Sequence, residues 1–507
     1  MTGTAVCPDP PTPECDEPRV GAPARAGRRE WLGLAVLALP TILIGLDGTV
    51  LHLAAPVLST DLAPSSSQLL WIIDVYGFVV AGLLVTMGTV GDRIGRRRLL
   101  MIGAAGFLVA SVLAAFATSP ELLIAARALL GLAGATLMPS TLSLLSNMFR
   151  DPGQRQLAIA IWMTNFMIGG MAGPLIGGVL LEHFWWGSVF LIGVPPLIVL
   201  LVAAPILLPE FRNVRAGRID LVSVALSTGA IVLVVYAIKE TAEDGFHSGG
   251  VGIAVVGVFL GWVFGRRQLG LAEPLIDLRL FRRATFSASL GAQMFGLYVL
   301  AAMGFLTVQY FQLVLGMSPL QAGLWMLPTM VAGIIGTLGA PWVVRHLRPG
   351  TAMTLGFVAA VPGLVLMAMT GRMPMVVGLA IASLGIQVVL ALTYDVVVSS
   401  APPEQAGVAS GMGETGTELG IALGIAIAGS LVAAVYRAGI PVGAPESARD
   451  TLGGAIAAAE RLPGPVAQQL LEVARDAYTN GIQLAAVMCA AIVVLLGVAT
   501  ATLVRTD

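Results

Sequence analysis

The chain has 507 residues, of which 57% are hydrophobic and only 11% charged, with a mean hydropathy of +0.88. Soluble domains carry roughly 25% charged residues, so this composition excludes a water-soluble globule and implies a polytopic membrane protein. The formal net charge of −1 says little by itself, because in a membrane protein the placement of charge along the chain decides topology.

The first 30 residues are rich in proline and lack the apolar h-region of a cleaved signal, so a disordered cytoplasmic tail is expected there. Cys7 and Cys15 lie in this tail and Cys489 in an apolar run, an arrangement that supports no disulfide framework.

A spanning helix needs about 20 mostly apolar residues. Such runs occur near 31–52, 68–90, 99–118, 121–146, 157–181, 186–208 and 219–238, then near 250–267, 285–315, 320–343, 351–370, 374–395, 406–434 and 479–503. Fourteen spans follow. With the N-terminus inside, most of the 28 basic residues fall in cytoplasmic segments, among them Arg28, Arg29, Arg93, Arg96, Arg97, Arg98, Arg150, Arg155, Arg266, Arg267 and Arg345. This bias places both termini in the cytoplasm. Arg127 alone falls inside a span.

Two segments do not span. Residues 271–284 mix apolar and basic positions and read as a short amphipathic helix on the cytoplasmic interface. Residues 435–478 form a long outer loop, with two helical stretches broken at Pro463, Gly464 and Pro465.

Residues 88–100 read GTVGDRIGRRRLL. Gly88, Gly91 and Gly95 permit a tight turn between helices, while Asp92, Arg93 and Arg96 can pair with neighbouring helix ends. The pattern closely resembles the loop signature of the major facilitator superfamily, which implies a gating role for these residues. RALLGLAGATLMPS, which begins at Arg127, is similar to that family's embedded-arginine motif. GGMAGPLIGG (169–178), with Gly169, Gly173, Pro174, Gly177 and Gly178, resembles its antiporter motif. Small residues at every fourth position also serve ordinary close helix packing.

The first-helix stretch IGLDGTVLHLAAP is similar to the pattern of the fourteen-helix drug:proton antiporter branch. WIIDVYGFVVAGLL (71–84), EPLIDLRLFRR and GETGTELGIALG (413–424) resemble the same branch. The resemblance implies an all-α integral membrane protein with the major facilitator fold: an N-terminal six-helix bundle (31–208), two inserted helices with a cytoplasmic linker (209–284), and a C-terminal six-helix bundle (285–504). His52 and Gly333 depart from the branch's usual residues, and the second bears on recognition of dications. A second copy of the loop motif, GAPWVVRHLRPG (339–350), is a degenerate echo.

Four carboxylates fall well inside spans: Asp47, Asp74, Glu414 and Glu418. Intramembrane acids are costly and mark ion or substrate pathways. Low dielectric favours the neutral form of an isolated carboxyl, which suits a group that binds and releases protons. An acidic cavity also favours cations. Asp47, Asp74, Glu414, Glu418 and Arg127 are therefore the expected proton-coupling and substrate residues. Asp220 and Asp395 lie at span ends, where solvated caps are expected, and the dispersed histidines suggest no site.

These features predict a secondary transporter that exchanges protons for amphipathic, mainly cationic drugs, dyes and antiseptics at the plasma membrane. A dedicated exporter of one metabolite, self-made antibiotic or lipid is the alternative. No H-E-x-x-H, G-x-S-x-G or P-loop pattern is present, so neither an enzyme nor ATP coupling is expected. Expected partners are substrates, protons and the bilayer, with no cofactor, metal or nucleic acid, and the chain is expected to act as a monomer.

Overall fold

The computed structural model describes residues 25–504, apart from 63, 65, 213–219, 245–247, 272, 273, 275–277, 401–405, 442 and 443. The expected N-terminal tail thus lies almost wholly outside the described residues. In the N-terminal half the helices are α1 (Arg28–Leu62), α2 (Ser66–Ile94), α3 (Arg96–Ala115), α4 (Pro120–Met148), α5 (Pro152–His183), α6 (Ser188–Leu191) and α7 (Val194–Leu207). The inserted pair is α8 (Leu221–Asp244) and α9 (Ser248–Gly270). Then follow α10 (Ala284–Gln309), α11 (Pro319–His346), α12 (Pro349–Met367), α13 (Arg372–Ser399), α14 (Ala406–Gly439), α15 (Glu446–Asp450), α16 (Leu452–Ala459) and α17 (Gly464–Leu503).

Among the described residues thirteen helical stretches are long and apolar enough to cross a bilayer, with α6 and α7 counting as one, and the shorter apolar run Leu221–Ala237 in α8 lies where the remaining span is expected. Their ends are set locally. Pro120, Pro152, Pro319 and Pro349 occupy first-turn positions, where the missing N–H costs nothing. Ser119, Asp151 and Ser318 accept backbone N–H bonds as N-caps, and Ser318 forms a reciprocal capping box with Gln321. Gly95, at φ +113°, turns the chain from α2 into α3 in a conformation that disfavours a side chain.

Within the N-terminal half α1 packs on α5 and α7, and α4 on α2 and α3. Within the C-terminal half α13 packs on α10, α11 and α12, while α14 and α17 close the group. The halves meet where α2 and α4 touch α14, and where α5 touches α11 and α13. The inserted α8 covers the α2–α14 seam, with α9 behind it.

Several elements differ from the sequence-based expectation. α1 runs to Leu62, well past residue 52. The two helical stretches of the outer loop part at Pro463, but the second does not end before the membrane: it continues without a break into the last span as the 40-residue α17. Only a 3₁₀ turn, Leu278–Arg282, appears in the described part of 271–284. α10 ends in a π-helical turn at Tyr310–Val314.

Candidate functional site

The embedded arginine reaches from α4 to α1. Arg127 Nη1 lies 2.8 Å from Asp47 Oδ2, and both side chains are buried. Its Nε donates to the Ile72 carbonyl at 3.2 Å, and the guanidinium lies over the Tyr76 ring, 4.7 Å from the centroid. Ile72 and Tyr76 are four residues apart, so one face of α2 supplies both contacts. The motif glycines explain how α2 comes so close: a Cβ at Gly131 would stand 2.8 Å from the Tyr76 carbonyl, and one at Gly134 would stand 3.0 Å from the Tyr76 hydroxyl. Asp47 is thus not an isolated acid but half of a buried ion pair.

Asp74 does not join this face. It is two residues from both Ile72 and Tyr76, about 200° around the helix. Its register matches Trp71 and Phe78, whose rings meet Tyr236 of α8. Asp74 therefore belongs to the stripe of α2 that faces the inserted pair.

A second polar cluster occupies the C-terminal half. Glu414 is buried on α14, and its Oε1 has no hydrogen-bond partner among the described residues. Around it, the Gln293 amide on α10 donates to the Gly413 carbonyl at 3.2 Å and to Thr417 Oγ1 at 3.1 Å, and the Tyr394 hydroxyl on α13 lies 3.1 Å from Thr417 Oγ1. Trp162 of α5 packs edge-on to Tyr394 with centroids 5.7 Å apart, bringing the N-terminal half to this cluster. Glu418, one turn further along α14, interacts electrostatically with Glu414. Tyr76 is within electrostatic reach of Asp47, Arg127 and Glu418, residues of both clusters. Its hydroxyl is buried and has no hydrogen-bond partner among the described residues.

The loop motif clasps the two halves together. The Asp92 carboxylate lies 2.7 Å from Arg96 Nη2 and accepts the backbone N–H groups of Gly407 and Val408, each at 3.2 Å. Those donors belong to the first turn of α14, where unsatisfied N–H groups and the helix dipole favour an anion. Gly88 makes the approach possible, since a Cβ there would collide with the Gly407 carbonyl. Arg93 is half-buried beside this contact. Arg97 and Arg98 approach Glu210 at 3.6 and 3.9 Å, and the Arg96 N–H donates to the Phe211 carbonyl at 3.1 Å.

A second clasp involves no motif residue. Arg155 on α5 lies 2.6 Å from Asp395 on α13, and Gln156 donates to the same carboxylate at 3.4 Å. Asp395 is buried rather than a solvated cap. The sequence separation of 240 residues leaves no local signal for the pair. Asp220 caps Val222 and also pairs with Arg267 of α9 at 2.7 Å. That hydrogen-bonded guanidinium holds the Asp220 carboxyl well below the usual carboxylate range.

The antiporter motif is a packing surface. A Cβ at Gly169 would collide with the Ile42 carbonyl and one at Gly173 with the Thr49 hydroxyl, which donates to the Gly170 carbonyl at 3.1 Å. Gly177 is buried and Gly178 half-buried on the same helix. The side chains of Pro174 and His52 lie outside the described residues. Gly333 packs against Met167 and Ser383, where an added Cβ would stand 2.7 and 2.9 Å away. Gln293 and Arg155 belong to these clusters but lie outside the motifs, whereas Tyr76 lies inside the stretch WIIDVYGFVVAGLL (71–84). For Tyr76 the available signals are that stretch and its spacing, a single helical turn from Ile72.

Residues 37–425 match the model of the Major Facilitator Superfamily. The chain is 45% identical over 480 residues to the multidrug efflux pump LfrA of Mycolicibacterium smegmatis, covering 92% of this chain and 95% of that one. It is 36% identical to the methyl viologen resistance protein SmvA of Salmonella typhimurium, covering 89% and 93%. It is 33% identical to the tetracenomycin C resistance and export protein of Streptomyces glaucescens, covering 92% and 90%. The fold is similar to that of the human organic anion transporter MFSD10 (TETRAN), with a TM-score of 0.57 at 17% identity over 92% of this chain and 99% of that one. The chain is a multi-pass membrane transporter, not an enzyme, and belongs to the Major Facilitator Superfamily.

Proposed function

We propose that this protein is a proton-coupled antiporter that expels amphipathic, mainly cationic compounds, with both termini in the cytoplasm of a cell whose plasma membrane it spans. The observation that carries the reading is a polar cluster in each half, the buried Asp47–Arg127 pair and the buried Glu414 with half-buried Glu418, with Tyr76 in electrostatic reach of both. In this reading residues 31–208 and 285–504 are the two rocking bundles, and 209–284 holds the inserted pair.

The chemistry follows from electrostatics. Two neighbouring carboxylates inside the membrane resist ionising together, so in this reading the Glu414–Glu418 pair carries a proton until a cation binds. A bound cation supplies the missing counter-charge and releases that proton. Arg127 neutralises Asp47 when the site is empty. A cation that draws on Asp47 frees the guanidinium to bond elsewhere, and the bistable packing of α1, α2 and α4 carries that change to the clasps. The two clasps, Asp92 on α14 and Arg155–Asp395, hold the cytoplasmic side shut. This arrangement fits a state closed toward the cytoplasm.

The likeness to the multidrug efflux pump LfrA supports recognition of many drugs. The likeness to the methyl viologen resistance protein SmvA supports export of a dication despite glycine at 333. The likeness to a tetracenomycin C exporter supports the second reading, a dedicated exporter. Efflux assays in an overexpressing strain, across cationic dyes, quaternary ammoniums and neutral antibiotics, separate the two. Protection against several unrelated cations supports the first reading; protection against one neutral compound overturns it.

A further inference from the structure

A cavity of about 290 Å³ opens at the end of the N-terminal half where α1 begins and α4 and α7 end. Arg25, Arg29 and Arg150 line it, opposed by one carboxylate, Glu30. Three guanidiniums against one carboxylate leave the lining at about +2. Glu30 is already engaged, since its Oε2 accepts the Gly27 N–H at 2.7 Å. Neither Arg25 nor Arg150 has a carboxylate partner among the described residues.

The cavity is built by contacts from four separate segments. The Ala26 N–H donates to Gln154 Oε1 at 2.7 Å, which ties the residues before α1 to α5. Arg29 Nη2 donates to the Ile206 carbonyl at 3.1 Å, which ties α1 to α7. Trp31 packs edge-on to Phe149 with centroids 5.0 Å apart, fixing α1 against the end of α4. Met148, Leu207 and Phe211 give the cavity an apolar wall. Exposed apolar side chains adjoin it on both helices: Leu32 on α1, one turn from Arg29, and on α7 Ile206, whose carbonyl Arg29 bonds, with Val202 one turn further; they are 55%, 66% and 66% exposed.

A cationic head pocket joined to an exposed apolar track at a membrane interface has the polarity pattern of one ligand class. We propose that this cavity binds the phosphate headgroup of an anionic glycerophospholipid, with an acyl chain lying along Leu32, Ile206 and Val202. Guanidiniums suit phosphate because they offer planar, paired donors to its oxygens. Basic pockets between spanning helices on the cytoplasmic side bind such headgroups. A cationic drug is disfavoured by the same charge. The proposed transport reaction uses none of these residues, so this lipid site stands or falls apart from it.

The test uses the purified full-length protein in detergent, with bound lipid counted by native mass spectrometry during titration with phosphatidylglycerol, phosphatidylcholine or glycerol phosphate. Phosphatidylglycerol should bind saturably, phosphatidylcholine far more weakly. The Arg25→Gln/Arg150→Gln variant removes two exposed guanidiniums without an internal ion pair and should weaken phosphatidylglycerol roughly thirtyfold. Arg345→Gln/Arg348→Gln, at exposed basic positions of the other half, should leave it unchanged. Equal losses in both variants, or no loss in either, would overturn the proposal by showing diffuse attraction or none. Glycerol phosphate binding as tightly as the lipid would overturn it too, because the acyl track would then contribute nothing.

Discussion

Arg127 Nη1 sits 2.8 Å from Asp47 Oδ2 in a buried pair that bridges α4 and α1, with the Tyr76 ring against the guanidinium. Breaking such a pair by removing one partner costs about 3–5 kcal/mol, because the other charge stays buried alone. Asp47→Asn or Arg127→Gln should therefore lower thermal stability in detergent, and the double variant should recover most of the loss. Transport should not recover with it. A double variant that regains proton-driven dye efflux as well would reduce the pair to a structural brace.

Asp92 holds the first turn of α14 through two N–H bonds, while Gly88 lets the backbones meet. A charged hydrogen bond contributes about 1.5–3 kcal/mol, enough to shift a two-state population by roughly tenfold or more. Asp92→Asn should open the cytoplasmic side, measured as faster labelling of a cysteine placed there. Gly88→Ala, which pushes the helices apart, should act in the same direction. Unchanged labelling in both variants would mean that the contact does not gate.

Arg155 and Asp395 join α5 to α13 at 2.6 Å. Arg155→Gln should also favour opening, and in combination with Asp92→Asn the two effects should add, since the clasps share no partner. Strongly non-additive labelling would show a single network instead.

The Tyr76 hydroxyl is buried without a hydrogen-bond partner among the described residues, within electrostatic reach of both Asp47 and Glu418. Tyr76→Phe keeps the ring against Arg127, so protein yield should stay near normal. Proton release per cation exported should fall, while dye binding remains. Normal coupling in this variant would confine Tyr76 to packing.

Much of this architecture is legible in the chain because membrane physics writes it plainly. Apolar runs of spanning length, the arginine bias and the glycine-spaced motifs point to the helices and their contacts. The Gly169–Gly173 surface packs α5 on α1 as small-residue spacing suggests. What the chain conceals is pairing at long range. Nothing local to Asp47 reveals that Arg127 neutralises it, and nothing near Asp395 points to Arg155. The division of labour along α2 is hidden too, because Asp74 and Tyr76 are close in sequence but face different helices. The extension of the last span into α17 is equally concealed, because the polar residues Glu472, Arg475 and Asp476 put the stretch before it outside the apolar run that marks a span.

The most direct test of proton–cation exchange is to reconstitute the full-length protein in liposomes without a gradient and add methyl viologen or ethidium while recording proton release and dye movement. The wild type should release protons on cation binding. Glu418→Gln should release fewer, and Asp47→Asn should neither release protons nor export dye, although it reaches the membrane. Dye export and proton release at wild-type rates in Asp47→Asn would contradict the account.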